Sequence, residues 1–342
     1  MPATTPLALF VGMPGYELSS DEVAFFRETN PFGLFLFRRN IDTPDQVRRM
    51  VDQFKEAVGR ADAPVYIDQE GGRVQRLDNG NWPSFRSLGE FGALGRKDLE
   101  AGRRALRLSS LAMGTAMTEL GIGSGTTPVV DLARKGTHDV IGQRSFGDDP
   151  DLVIELGRIV IDAMLEVGAM PIMKHIPGYG RVTVDPHFDC PVVEAPVDDL
   201  RETDFRPFMA LSDASPWAMV AHLVFTQVDA ERPASVSPLV ADLIRREIGY
   251  DGVLITDCLT MEALKGTWPE RVKAALDAGY DFALHSQGDL AASEAAARAA
   301  RPLKGESLER IARAQSRLGT SKVDVRALHA EVEDIFRENG FA

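Results

Sequence analysis

The chain has 342 residues, 44% of them hydrophobic and 26% charged, which is enough apolar material for a packed core and rules out wholesale disorder. Lys and Arg number 38 against 51 Asp and Glu, a formal charge of −13 that argues against a nucleic-acid or anionic-membrane partner held by a broad basic surface. The 2 cysteines, Cys190 and Cys258, exclude a disulfide scaffold and argue against a thiolate metal site. The first residues lack a basic n-region, and the apolar run Leu7–Val11 is too short for a signal segment. No stretch approaches the ~18 apolar residues of a membrane-spanning helix, so a soluble cytoplasmic protein is expected.

Short apolar runs recur in chain order at Leu7–Val11, Gly33–Phe37, Val65–Ile67, Thr127–Val130, Met170–Met173, Trp217–Val220, Val253–Ile255 and Phe282–Leu284. They are continuous rather than alternating, as in parallel strands buried on both faces. The fourth is the least regular, because Pro128 lies inside it. Helical patterns separate the runs. Ser19-Ser20-Asp21-Glu22 is a capping box ahead of Val23–Phe26. Thr43-Pro44-Asp45-Gln46 is a second, opening a helix over Pro44–Val58 that Gly59 can end. Leu152, Leu156, Ile159, Ala163 and Val167 mark another apolar face, and Leu239, Leu243 and Ile244 a shorter one. Eight strand–helix units predict an α/β fold, a (β/α)8 TIM-type barrel over residues 1–302. Leu308, Ile311 and Leu318, then Val325–Phe336, predict a helical extension over 303–342 packed on the barrel. An open doubly wound sheet is the alternative; its dinucleotide-binding version is weakened because no GxGxxG follows the first run.

Barrel enzymes assemble their sites at the C-terminal ends of strands. Here those ends carry Asp68, Lys174-His175, His222, Asp257 and His285. Four of the 6 histidines, His175, His187, His222 and His285, lie at or just after a strand end. One such imidazole alone reads as a buried core group; their convergence predicts a functional pocket. Asp257 follows a buried apolar run, a rigid and partly shielded place that suits a nucleophile or charge stabiliser. A helix N-cap is the competing reading, with Thr260-Met261-Glu262 downstream. Gly178 and Gly180 loosen the loop after His175, which continues to Asp185-Pro186-His187. An Asp two residues before a His can fix its tautomer and raise its basicity, the logic of an acid/base dyad; a plain turn is the competing reading. Asp68–Arg76 sets charges around a Gly-Gly turn, and Arg144 adds a loop cation. Arg76, Arg144 and Lys174 are expected to form a local cationic pocket inside an acidic protein.

Taken in order, these segments resemble glycoside hydrolase family 3, in its single-barrel bacterial β-N-acetylglucosaminidases (β-hexosaminidases) of peptidoglycan recycling. Asp68–Arg76 matches the family's DQEGGRVQR segment and Ile141–Ser145 its IG-x-RS. Lys174–His187 resembles its KH-[FI]-PGHG loop and closing D-x-H. Ala221-His222, followed by Asp229 and Pro233-Ala234, looks like a further segment, and Asp251–Glu262 resembles DG-x-x-x-[ST]DDLSME. The chain departs from the pattern at Tyr179, where the family has His, and at Cys258, where it has a second Asp. Pro186 and Cys190 are further departures.

The resemblance implies Asp257 as nucleophile, His187 as acid/base and Asp185 as its dyad partner. It implies Asp68, Arg76, Arg144, Lys174 and His175 as sugar-holding residues, with His222 in the same region. The implied activity is an exo-acting, retaining β-N-acetylhexosaminidase that removes terminal N-acetylglucosamine from muropeptides or chitooligosaccharides. Neither a metal nor an organic cofactor is implied, and a monomer or weak homo-oligomer is expected. Because a histidine base carries no negative charge, phosphorolysis by the same residues is an alternative; a catalytically impaired sugar-binding homologue is another. A metal-dependent hydrolase would need a paired HxH after the first strand, which is absent. An aldolase-like Schiff base at Lys174 fits the neighbouring His175 and glycines less well than sugar binding.

Overall fold

The computed structural model describes residues 5–184 and 189–341. The chain runs β1 (Leu7–Val11), α1 (Ser20–Thr29), β2 (Pro31–Leu36), α2 (Pro44–Val58) and β3 (Val65–Ile67). A small hairpin follows, β4 (Gln69–Gly71) and β5 (Val74–Gln75), then α3 (Leu88–Lys97), α4 (Leu99–Thr118) and α5 (Pro150–Glu166). Next come β6 (Ile172–Ile176), β7 (Val192–Val193), α6 (Val197–Glu202), α7 (Arg206–Ala210), β8 (Trp217–Val220) and β9 (Val224–Phe225). The last third holds α8 (Pro238–Arg246), β10 (Val253–Cys258), α9 (Trp268–Asp277), β11 (Phe282–His285) and α10 (Leu290–Ala299). Two further helices close the described chain, α11 (Gly305–Gln315) and α12 (Val325–Glu338).

Seven strands form one parallel sheet in the order β3-β2-β1-β11-β10-β8-β6. β1 pairs with both β2 and β11, so the first and last strands are neighbours. The gap between β3 and β6 is the place of the expected fourth strand. Residues 123–130 fill it without forming a regular ladder. They touch both edges through the isolated parallel bridges Tyr66–Ser124 and Val129–Lys174. Ile67 N–H donates to Ser124 O (3.0 Å) and Ile172 N–H to Thr127 O (2.9 Å). Pro128 has no N–H to give, and Thr126 sits at φ 49°, outside the extended region. The result is a closed α/β barrel whose fourth stave is irregular.

Rings from strands that are not neighbours meet inside it. Trp217 on β8 stacks on Phe282 of β11 at 5.2 Å and reaches Phe10 of β1 at 6.2 Å. Gly33 makes room for this cluster: a Cβ there would lie 2.2 Å from the Phe10 ring. The interior is therefore packed with side chains, as barrel cores are.

The helix signals act locally. Thr43 Oγ1 accepts from Gln46 N–H, and Gly59 ends α2 at φ 66°. The Thr43 box is only half formed, because the Gln46 side chain accepts from Asp42 N–H instead. The Ser19 box is complete. On α8 the expected face is corrected: Leu239 is exposed, and Val240 and Ala241 are buried with Leu243 and Ile244. Beyond the barrel, α12 lies along α4, with Phe336 edge-on to Phe91 at 5.2 Å. Arg86 grips Glu333 with two hydrogen bonds of 2.9 and 2.7 Å and covers the Phe336 ring. On α11 Ile311 is buried, but Leu308 is exposed and Leu318 falls past the helix end.

Candidate active site

The chemistry-bearing residues meet at the C-terminal mouth of the barrel. β3 delivers Asp68, and the β4–β5 hairpin turns the chain back over it. Gln69 Oε1 accepts from the N–H groups of Arg76 (2.9 Å) and Leu77 (3.0 Å), which fixes the returning strand. Arg76 then meets Asp68 at 3.3 Å. Gly71, at φ 92°, is required here, since a Cβ would lie 2.3 Å from Arg86 O.

Lys174, on β6, is buried with three partners. Its Nζ lies 2.7 Å from Glu70, 3.2 Å from Asp68 and 2.8 Å from Thr126 Oγ1. Arg144, on a short 3-10 turn (Gly142–Arg144), closes a two-pronged pair on Glu70 at 2.8 Å for each bond. Burial alone would raise both carboxyls, but the cations outweigh it. Glu70 is held down to about 2 by Arg144 and Lys174, and Asp68 falls well below the carboxylate range beside Lys174 and Arg76. Burial opposes the Arg144 charge, yet Glu70 raises its pKa further. The expected cationic pocket is thus corrected. Arg76, Arg144 and Lys174 are matched by Asp68, Glu70 and Asp257, so the charges cancel.

His175 is oriented by Asp131, which follows the irregular fourth stave. Asp131 Oδ2 lies 2.7 Å from His175 Nδ1 and accepts the His175 N–H at 3.1 Å. Its other oxygen accepts the Tyr179 N–H at 2.7 Å. Nδ1 is therefore the ring donor, and Nε2 is left facing Arg144 Nη2 at 3.4 Å.

Asp257 stands within β10, and the next helix, α9, begins only at Trp268. The helix N-cap reading of Asp257 is therefore set aside. Its Oδ1 accepts the Cys258 N–H at 2.6 Å. Burial pushes its pKa up, but the nearby imidazoles of His222 and His175, that N–H and Lys174 bring it below the ordinary aspartate value. His222 lies behind Asp257 and is fully buried. Its Nε2 donates to Cys258 O (2.9 Å), and its Nδ1 faces Ser235 Oγ (2.6 Å). Burial lowers its pKa, opposed by the charge of Asp257. Expected among the sugar-holding residues, His222 instead has both ring nitrogens engaged and is absent from the cleft wall. Its ring supports the backbone next to Asp257.

The cleft has two joined lobes that share Asp68, Arg76, Asp257 and Met261. One is lined by Arg144, Lys174, His175 and Tyr179. The other is lined by Phe35, Phe37, Met219 and Leu284, with Arg39, Cys258 and Ser286 as its polar edge. His285 faces away, edge-on to Trp268 at 5.5 Å, with no hydrogen-bond partner among the described residues. Asp185 and His187 lie outside the described residues. Sequence reasoning missed Asp131, Thr126 and the pairing role of Glu70. Asp131 had one available signal, its place directly after the apolar pair Val129-Val130.

Residues 11–320 match the glycosyl hydrolase family 3 N terminal domain. The chain is 35% identical over 303 residues to a beta-hexosaminidase of Xanthomonas campestris pv. campestris, covering 88% of this chain and 90% of that protein. It is 34% identical over 282 residues to a beta-hexosaminidase of Thiobacillus denitrificans, covering 81% and 77%. The fold superposes on NagZ from Neisseria gonorrhoeae, solved with N-trifluoroacetyl-D-glucosamine, with a TM-score of 0.88 at 27% identity, over 98% of this chain and 99% of that one. It also matches M tuberculosis LpqI with a TM-score of 0.73 at 26% identity, over 98% and 92%. The chain belongs to glycosyl hydrolase family 3 and is a glycosidase of that family's β-hexosaminidase group.

Proposed function

We propose that the protein is a retaining, exo-acting β-N-acetylglucosaminidase that removes terminal N-acetylglucosamine from peptidoglycan-derived muropeptides or related oligosaccharides in the cytoplasm. The observation that carries this reading is the ionised Asp257, fixed on β10 and facing Asp68, Arg76 and His175 across the cleft. A carboxylate so placed suits attack on an anomeric carbon through an oxocarbenium-like transition state. Asp68, Arg76, Arg144, Lys174 and His175 offer paired donors and acceptors for sugar hydroxyls, and the apolar lobe suits an acyl arm. His187, steadied by Asp185, gives its proton to the leaving oxygen. The glycosyl–Asp257 ester forms as the glycosidic bond breaks. His187 then takes a proton from water, whose oxygen displaces the Asp257 carboxylate from the sugar. Residues 1–302 act as the catalytic barrel, with 303–342 as its helical extension.

The deciding assay uses an aryl N-acetyl-β-glucosaminide with and without phosphate. Free sugar released in water supports hydrolysis. Phosphate-dependent sugar 1-phosphate replaces that reading with phosphorolysis, and binding without product replaces it with a sugar-binding role. Asp257→Ala is expected to lose at least about a thousandfold in kcat. Near-normal activity in that variant rejects the assignment.

A further inference from the structure

Tyr179 carries a buried hydroxyl that the chemistry above leaves unused. It lines the same lobe as Asp257 and His175 and is only 2% exposed. Its N–H donates to Asp131, its ring stands edge-on to His175 at 5.0 Å, and its hydroxyl oxygen accepts the His222 N–H at 2.6 Å. Because that N–H occupies one lone pair, the phenol's own proton must point elsewhere. None of the described residues accepts it. Burial raises the Tyr179 pKa well above its usual value, and the charge of Asp257 adds to this, so the proton stays on. A firmly held, protonated donor therefore lines the same lobe as Asp257, with no described residue taking its proton at ordinary hydrogen-bond length.

We propose that Tyr179 is a catalytic hydrogen-bond donor to the Asp257 carboxylate. The role rests on the hydrolase reading above, and it is greatest in the second displacement. There the water oxygen bonds to the anomeric carbon, the bond from that carbon to Asp257 breaks, and the electron pair returns to the carboxylate. The Tyr179 proton is offered to that growing charge and is not transferred. Catalytic hydrogen bonds are often long in the free enzyme and tighten only during turnover. The other charged and titratable groups around Asp257 already have duties. Lys174 and His175 face it from β6, Asp68 and Arg76 from the β3 side, and Arg39 borders the second lobe, while His222 lies behind it. Lys174 is committed to Glu70 and Asp68, and the His222 ring to Ser235 and Cys258 O.

The test compares Tyr179→Phe and Tyr179→His with the unaltered enzyme on the aryl N-acetyl-β-glucosaminide, across pH. Tyr179→Phe is expected to lower kcat about tenfold or more and to lower KM with it, because the covalent intermediate accumulates. The acidic limb of kcat/KM should move up by about half a pH unit or more as Asp257 loses a donor. Tyr179→His, which can both accept and donate, should recover most of kcat. A carboxyl 13C NMR titration, assigned with Asp257→Asn, reads the same change without turnover. An unmoved Asp257 titration in a folded Tyr179→Phe, or a fall in kcat with KM unchanged, overturns the proposal and leaves Tyr179 a packing residue. If Tyr179→Phe fails to fold, Tyr179→His decides: a normal profile supports the donor role, and a lost one overturns it. An unaltered enzyme that releases no sugar defeats the hydrolase reading instead, and the titration still decides the placement of the Tyr179 proton.

Discussion

Lys174 shows why the site is costly to build and hard to loosen. A buried ammonium is tolerated only where carboxylates and hydroxyls replace water, and Glu70, Asp68 and Thr126 do so here. His285 is the opposite case, an imidazole buried on β11 with neither nitrogen paired among the described residues. Burial lowers its pKa from 6.5 to about 4, with Asp289 pulling weakly the other way. Below pH 6.5 the unfolded chain binds a proton at this position that the folded chain refuses. Stability is therefore full above about pH 6.5 and falls as pH drops towards 4, by an amount on the order of 2–3 kcal/mol. His285→Phe should flatten that decline in urea-unfolding experiments run from pH 7 to 4. The strand-end rule made Asp68, Lys174, His175 and Asp257 legible from sequence, because each directly follows or ends an apolar run. It could not separate His222, whose ring turns to Ser235 and Cys258 O, from the residues that face the cleft.

The barrel strands were readable wherever an apolar run had enough β-formers to pair on both sides. The fourth failed because Pro128 breaks the donor series, although the carbonyls of Ser124 and Thr127 still accept from the flanking strands. Asp131 was overlooked with it, since a strand end is hard to identify when the strand is irregular. The hairpin after β3 was hidden for another reason: its two short strands carry no apolar run, and the Gln69 side chain adds two hydrogen bonds to their ladder that no apolar pattern records. At the other end of the chain, α12 joins the barrel through the buried side chains of Val332, Ile335 and Phe336. Phe336 is fully buried between Phe91 and Phe341 and lies under Arg86. Phe336→Ala should cost about 3–5 kcal/mol in urea unfolding while leaving KM unchanged, because α12 contributes nothing to the cleft wall. A raised KM would mean that the extension shapes the site.

For the molecule as a whole, the −13 charge and the balanced cleft lead to a kinetic expectation. A neutral substrate is not steered by the net field, and the charges that meet it are paired at short range, where salt screens little. For a neutral aryl glycoside, kcat/KM should change by less than about twofold between roughly 0.05 and 0.5 M NaCl. A strong fall with salt would show an unbalanced cationic site, as the sequence alone suggested. Among the described residues no helix is long and apolar enough to cross a membrane.

The pairing of β1 with β11 also sets an order of assembly. β1 is synthesised first, and Ala283, its partner at Leu9, follows about 270 residues later. Closing so long a loop costs roughly 5 kcal/mol of chain entropy, so this seam is expected to close late in folding. A nascent chain can curl β2, β3, β6 and β8 into an open trough but cannot yet join its rims. Arg39, whose guanidinium bonds to Met13 O beside one rim and to Ser286 O beside the other, then acts as a clasp. The nucleophile, on the second strand from that seam, gains its full cleft only when the ribosome has released β11.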